Sequence, residues 1–192
     1  MIEIGRASAS QVIAAYRHDF AVRRTGTPWP ESPGVPPAML PLARLVALHN
    51  AHRPVFWPLE AVWSLYEVTA DELMAVRSMW GDPPYGWTIR ELIDHTTSGA
   101  WHPPAENEAN LQDLELLARR GTLPHGQYVA VDAKAQRTMG MPVPGTSNPL
   151  CLVDGHHRLV ALARAGALPQ TCQLFVGRHP VAIGTAVLNG KH

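Results

Sequence analysis

At 192 residues the chain has the length of one domain, or of one domain with a sizeable extension, and its 46% hydrophobic content is enough for a real core. Its 16 basic and 16 acidic residues cancel to a formal charge of zero, so no global field draws it to nucleic acid or anionic lipid. The N-terminus lacks a basic segment followed by an apolar one, and no stretch is long enough to cross a bilayer, so no membrane association and a cytoplasmic location are expected.

Ser8 or Ser10 can cap a first helix, with Val12, Ile13, Tyr16 and Phe20 on one stripe and Gly26 as its stop. Thr27 to Pro37 is too proline-rich for helix or central strand and reads as an extended segment pinned by Trp29 and Val35. Pro41 opens a second helix with Leu42, Leu45, Val46 and His49, and Pro58 a third with Leu59, Val62, Trp63 and Tyr66. Thr69 to Glu72 forms a capping box, followed by Leu73, Val76 and Met79, before Gly81 to Gly86 breaks the chain. Residues 1–85 therefore read as a helical N-terminal extension.

From residue 86 the pattern changes. Trp87 to Ile93 reads as a strand passing into a turn, although Thr88-x-x-Glu91 also fits a helix cap. Residues 94–106 read as a polar loop in which Asp94, His95, Thr96, Ser98, His102 and Glu106 mix acids, bases and hydroxyls; a solvated loop fits this stretch as well as a functional one. Leu111, Leu114, Leu117 and Ala118 mark a helix stopping at Gly121, and Tyr128 to Val131 a strand. Lys134 to Pro149 reads as a loop, Leu150 to Val153 as a short buried strand, and Leu159, Leu162 and Ala163 as a helix ending at Gly166. Cys172 to Val176 is a final strand, and Val181 to Leu188 carries only a weak pattern. Residues 86–192 thus form a small α/β unit.

The stretch richest in chemistry is Asp154-Gly155-His156-His157-Arg158, placed where a strand turns into a helix. Backbone N–H groups and the positive end of the helix dipole suit an anion there. Gly155 allows close approach of a ligand, and Arg158 adds a planar donor fork matched to phosphate or carboxylate. His156 or His157 can act as acid or base near neutral pH; one is expected to face the ligand and the other to satisfy a backbone carbonyl, and which is which stays open. Asp154 can accept a hydroxyl proton or hold Mg²⁺. Adjacent histidines are poorly spaced for a shared metal, since pairs on helices prefer i, i+4. The two cysteines, Cys151 and Cys172, lie in apolar runs and read as buried thiols, and no finger spacing suggests zinc. The six tryptophans read more as core than as pocket, and Arg119-Arg120 as an exposed pair offsetting a helix dipole.

The second half resembles the ParB/sulfiredoxin fold. The resemblance is carried by Asn110 to Gly121, Gln127 to Val131, the Leu150–Arg158 stretch with its helix, and Gln173 to Val176. It implies a small mixed-sheet domain over 86–192. Sulfiredoxins carry a Gly-Cys-His-Arg box; here His156 holds the cysteine position, so thiol chemistry is not implied. Partitioning ParB proteins continue into a helix-turn-helix domain; with 34 residues after Arg158, that role is not expected. The Asp-Gly-His-His-Arg form is similar to the box of ParB-like free-serine kinases. That similarity implies a nucleotide (ATP or ADP, with Mg²⁺) bound at Gly155, His156 and Arg158. It also implies a small-molecule substrate and an upstream glutamate acting on its hydroxyl. Glu91, Glu106 and Glu108 are candidates by position, and Glu106 is carried with Asp154, His156 and His157 as the catalytic set. The expected function is a nucleotide-dependent phosphotransferase acting on a hydroxyl-bearing metabolite. The alternatives are a ParB-like nuclease, disfavoured by the neutral charge, and a non-catalytic nucleotide- or anion-binding module.

Overall fold

The computed structural model describes residues 1–8, 11, 12, 15, 61–81, 86–123, 127–138 and 150–178. Its strands are β1 (Ile2–Ala7), β2 (Val62–Thr69), β3 (Arg77–Ser78), β4 (Gln127–Val131), β5 (Cys151–Asp154) and β6 (Thr171–Arg178). Its helices are α1 (Ala70–Met74), α2 (Ile89–Ser98), α3 (Ala105–Arg119), α4 (Ala133–Thr138) and α5 (His156–Arg164). The six strands form one mixed sheet in the order β1-β2-β6-β4-β5-β3. β4 runs parallel to β6 and β3 parallel to β5, while the other neighbours are antiparallel. The domain is therefore α/β with a mixed sheet, as the alternation of elements predicts. Among the described residues no helix is long and apolar enough to cross a membrane.

Burial explains the sequence of the central strand. Val129 and Val131 of β4 face one cluster, with Trp63, Cys151, Phe175, Val12 and Ala15. Tyr128 and Ala130 face the other, with Leu152, Leu174, Val176, Ile89 of α2 and Leu159 of α5. A strand covered on both faces has no reason to alternate polar residues, hence the unbroken apolar run. α5 is enclosed in the same way. Leu159 packs toward the sheet, while Val160, Ala161 and Leu162 meet Leu92 of α2 and Leu111, Leu114 and Ala118 of α3. Every residue from His156 to Leu162 is buried, so the polar start of this helix lies inside the protein.

Several expectations are corrected. Residues 1–85 are not simply a helical extension, because β1, β2 and β3 from this stretch belong to the same sheet as β4, β5 and β6. Val62, Trp63 and Tyr66 fit a helical stripe, but they lie in β2, whose aromatic and β-branched residues pair with β6 from Val62↔Arg178 to Thr69↔Thr171. Sheet pairing outweighs the weak helical periodicity here. Trp87 to Ile93 is not a strand: the Thr88/Glu91 capping box opens α2, which also takes in the first half of the expected 94–106 loop. The loop expected from Lys134 begins instead as α4. The Thr69/Glu72 capping box is present, but its helix ends at Met74. Gln11, Val12 and Ala15 are helical, with the Ser8 carbonyl accepting from the Gln11 and Val12 amides. The proline-rich segment, the helix from Pro41, Trp29, Trp57 and the 181–188 tail lie outside the described residues.

Candidate functional site

The site is built where parallel β3 and β5 end side by side. The β4–β5 register slips at Val153, so that Asp154 lies opposite Val129 and Leu152 opposite Ala130. Irregularities of this kind re-aim the residues that follow. Gly155 then takes a left-handed conformation (φ 101°). It lies so close to Tyr128 that an added Cβ would stand 2.4 Å from Tyr128 Cδ1. Only glycine satisfies both the backbone angle and the space. Gly155 is itself the N-cap of α5 and brings no side chain to it, so the positive end of the helix dipole opens directly after Asp154.

Chain leaving β3 supplies the second wall. The Met79 amide donates to His156 Nε2 at 3.3 Å. The Trp80 ring stacks on His156 with centroids 5.1 Å apart and planes 15° apart, and meets His157 edge-on at 4.4 Å. On the other side, from the first turn of α3, Asn107 Oδ1 lies 3.1 Å from His157 Nε2. These partners distinguish the imidazoles. His156 accepts at Nε2 and so carries its proton on Nδ1. His157 donates from Nε2 to the amide oxygen of Asn107 and so carries a proton on Nε2. The two adjacent histidines that the sequence left equivalent thus use Nε2 in opposite senses, His156 as acceptor and His157 as donor.

Arg158 is placed differently from the expected phosphate fork. It is 1% exposed, donates to the Gln127 carbonyl at 2.7 Å and lies 4.7 Å from the centroid of the Tyr128 ring. Here it braces α5 against the start of β4. Asp154, His156 and His157 are also buried, at 4%, 4% and 8% exposure. The structure thus brings Asp154, Gly155, His156, His157 and Arg158 together as expected, and adds Met79, Trp80 and Asn107. None of those three carries a motif. Two residues of β3 are too few for a periodic signal, and Asn107 reaches the site only through the docking of α3 on α5.

The upstream glutamates separate clearly. Glu91 is spent on the capping box, accepting from the Thr88 amide and hydroxyl. Glu108 binds Arg164 at 2.8 Å. The Arg164 guanidinium holds its carboxyl below the usual range, against the opposing effect of burial. Glu106 lies in the first turn of α3, next to Asn107, and its side chain is outside the described residues. The rest of the 94–106 stretch is mainly structural. Thr96 donates to the Leu92 and Ile93 carbonyls, Ser98 to the His95 carbonyl, and His95 stacks on Trp87. A groove of about 460 Å³ lies nearby, lined by residues that include Ser98, His102, Glu108, Glu115, Arg119 and Arg164. No box residue lines it.

Among the described residues no three His, Cys, Asp or Glu side chains gather to hold a metal. Cys151 and Cys172 are buried and not bonded to each other, and β4 lies between their strands. No protein-family model, no curated protein and no solved structure matches this chain.

Proposed function

We propose that the chain is a small-molecule enzyme, a nucleotide-dependent phosphotransferase that moves a phosphoryl group from ATP or ADP to the hydroxyl of a metabolite. The observation that carries this reading is the meeting of Asp154, left-handed Gly155 and two imidazoles, one accepting and one donating at Nε2, at the start of α5. A helix start with close backbone approach favours phosphate. The resemblance of the box to that of ParB-like free-serine kinases points to the same chemistry.

In this reading the substrate oxygen attacks the terminal phosphorus. The new O–P bond forms as the bond to the bridging oxygen breaks, and the shortened nucleotide leaves with the electron pair. Catalysis of this step is mostly positioning and charge stabilisation. His157 takes the hydroxyl proton. His156, with Nδ1–H, donates to a phosphate oxygen. Arg158 acts through its buried charge rather than as a direct fork. Asp154 is the carboxylate that would hold Mg²⁺, a cation suited to one carboxylate plus phosphate oxygens, which when bound neutralises phosphate charge. Glu106 is the remaining position for the upstream glutamate, since Glu91 and Glu108 are committed elsewhere.

The test is incubation with ATP or ADP, Mg²⁺ and a panel of hydroxyl-bearing metabolites, with products followed by phosphorus NMR. His157→Ala is expected to lower turnover about 100-fold or more, the scale of general-base catalysis. Nucleotide binding without turnover across the panel makes the protein a sensor instead. Plasmid cleavage abolished by Arg158→Ala makes it a nuclease.

A further inference from the structure

The sheet ends in two edges of opposite character. β3 is two residues long, both of them buried, and its outer side is already covered: Arg77 bridges to Thr88 and the Ser78 amide donates to the Trp87 carbonyl at 2.7 Å. β1, at the other end, is six residues long, and among the described residues no strand lies beyond it. Ile2 and Ile4 are 69% and 53% exposed, and Glu3 and Arg6 are exposed as well. Such an edge presents unpaired backbone N–H and C=O groups, a template for another strand.

Edges are commonly closed to further pairing by a bulge or by charges. β1 has both, but in an arrangement that suits its own copy. Glu3 and Arg6 stand three positions apart, which in a regular strand places them on opposite faces. The register slip between Glu3 and Gly5 changes this: Glu3 pairs with Tyr66 and Arg6 with Ser64, two positions on one face of β2. The Tyr66 hydroxyl, which donates to Glu3 Oε2 at 3.3 Å, marks that face. Arg6 makes no hydrogen bond or ion pair among the described residues. The edge therefore carries one acid and one uncommitted base on the same face.

We infer that β1 is a self-pairing edge. It lies antiparallel to β1 of a second copy about a two-fold axis, with Glu3 of each strand opposite Arg6 of the other. In this register Ile4-Gly5 crosses Gly5-Ile4 at the axis, so the two bulges match and neither strand carries an excess residue. Ile2 falls opposite Ala7, and the exposed isoleucines of both copies lose part of their wet surface. Both cross-strand charge pairs are attractive, whereas an edge of one sign would repel its own copy. The histidine box lies toward the other edge, where β5 meets β3, so pairing does not involve it.

Sedimentation of the full chain tests this. Wild type is expected to pass from monomer to dimer as concentration rises. Glu3→Arg and Arg6→Glu each turn two attractive pairs into two repulsive ones, and each is expected to weaken self-association about tenfold or more. An equimolar mixture of the two variants is expected to recover wild-type dimerisation, because an all-basic edge then meets an all-acidic one. Recovery on mixing also shows that both variants are folded. A wild type that stays monomeric at about 1 mM overturns the inference. A dimer untouched by either change places the second copy on another surface, and a loss that mixing does not restore removes the Glu3–Arg6 register; either result overturns it equally.

Discussion

At its first turn α5 carries His156, His157 and Arg158 inside the protein, where the Met79 amide, the Asn107 side-chain amide and the Gln127 carbonyl are among their partners. At its last turn Arg164 meets the Glu108 carboxylate and the Thr96 carbonyl, while Arg119 pairs with Glu115 and reaches the Arg164 carbonyl. A groove of about 460 Å³ lies at this second end. Each guanidinium there already has its carboxylate. Matched pairs at a half-exposed helix end fix neighbouring helices together, at modest net gain. The groove and the histidine box thus occupy opposite ends of one helix.

The largest expected effect separates the glycines at the two ends. Gly155→Ala should cost about 2–5 kcal/mol, combining left-handed strain with a collision against Tyr128. Gly166, also left-handed (φ 65°), has nothing within 4 Å of an added Cβ. Gly166→Ala should therefore cost only about 1 kcal/mol. Urea midpoints measure both; equal losses would remove the case for a tightly closed turn under the box.

Next in size is the ion pair. Arg164 is 12% exposed and Glu108 25%, between the exposed and fully buried cases. Arg164→Met should then cost about 1–2 kcal/mol and leave nucleotide affinity unchanged. A loss of affinity would bring the groove into the binding site. Glu108 adds a pH signature. Its carboxyl is held down by hydrogen bonding to Arg164. Its contribution is thus complete above the unfolded pKa and is lost as pH falls through the lower folded one. Wild type should lose more stability on acidification than Glu108→Gln, with the gap between them closing below the usual carboxylate range. Parallel stability curves down to acid would mean that the pair is not formed in solution.

How legible each region was depends on how local its causes are. β4, β6 and α5 were readable because burial on both faces imposes unbroken apolar runs, and a positive-φ glycine marks the end of α5. The box was readable as well, since five adjacent residues carry it. In β2 the spacing of Val62, Trp63 and Tyr66 fits a helical stripe, and only pairing with β6, over a hundred residues away, sets it as a strand with Trp63 and Tyr66 on opposite faces. Trp80 and Asn107 reach the imidazoles through contacts spanning 76 to 50 positions (156 − 80 and 157 − 107). No local pattern encodes such contacts, so the wall of the site stayed hidden while its floor was plain.

The smallest effect is an expected silence. Burial pushes the Cys151 thiol up to about 12 and the Cys172 thiol to about 11, with Arg77 and Arg158 respectively opposing only in part. The thiolate is the reactive form, so iodoacetamide at pH 8 should modify neither cysteine in the native protein and both in urea. Cys151 begins β5, which leads directly into Asp154, so its slow native labelling reports openings at the box end of α5. Gly155→Ala should speed that labelling, because it loosens the turn on which β5 ends. Arg164→Met acts at the far end of the helix and should leave the rate close to wild type. If both variants speed it equally, the two ends of α5 open as one unit, and the contrast between them is one of chemistry alone rather than of stability.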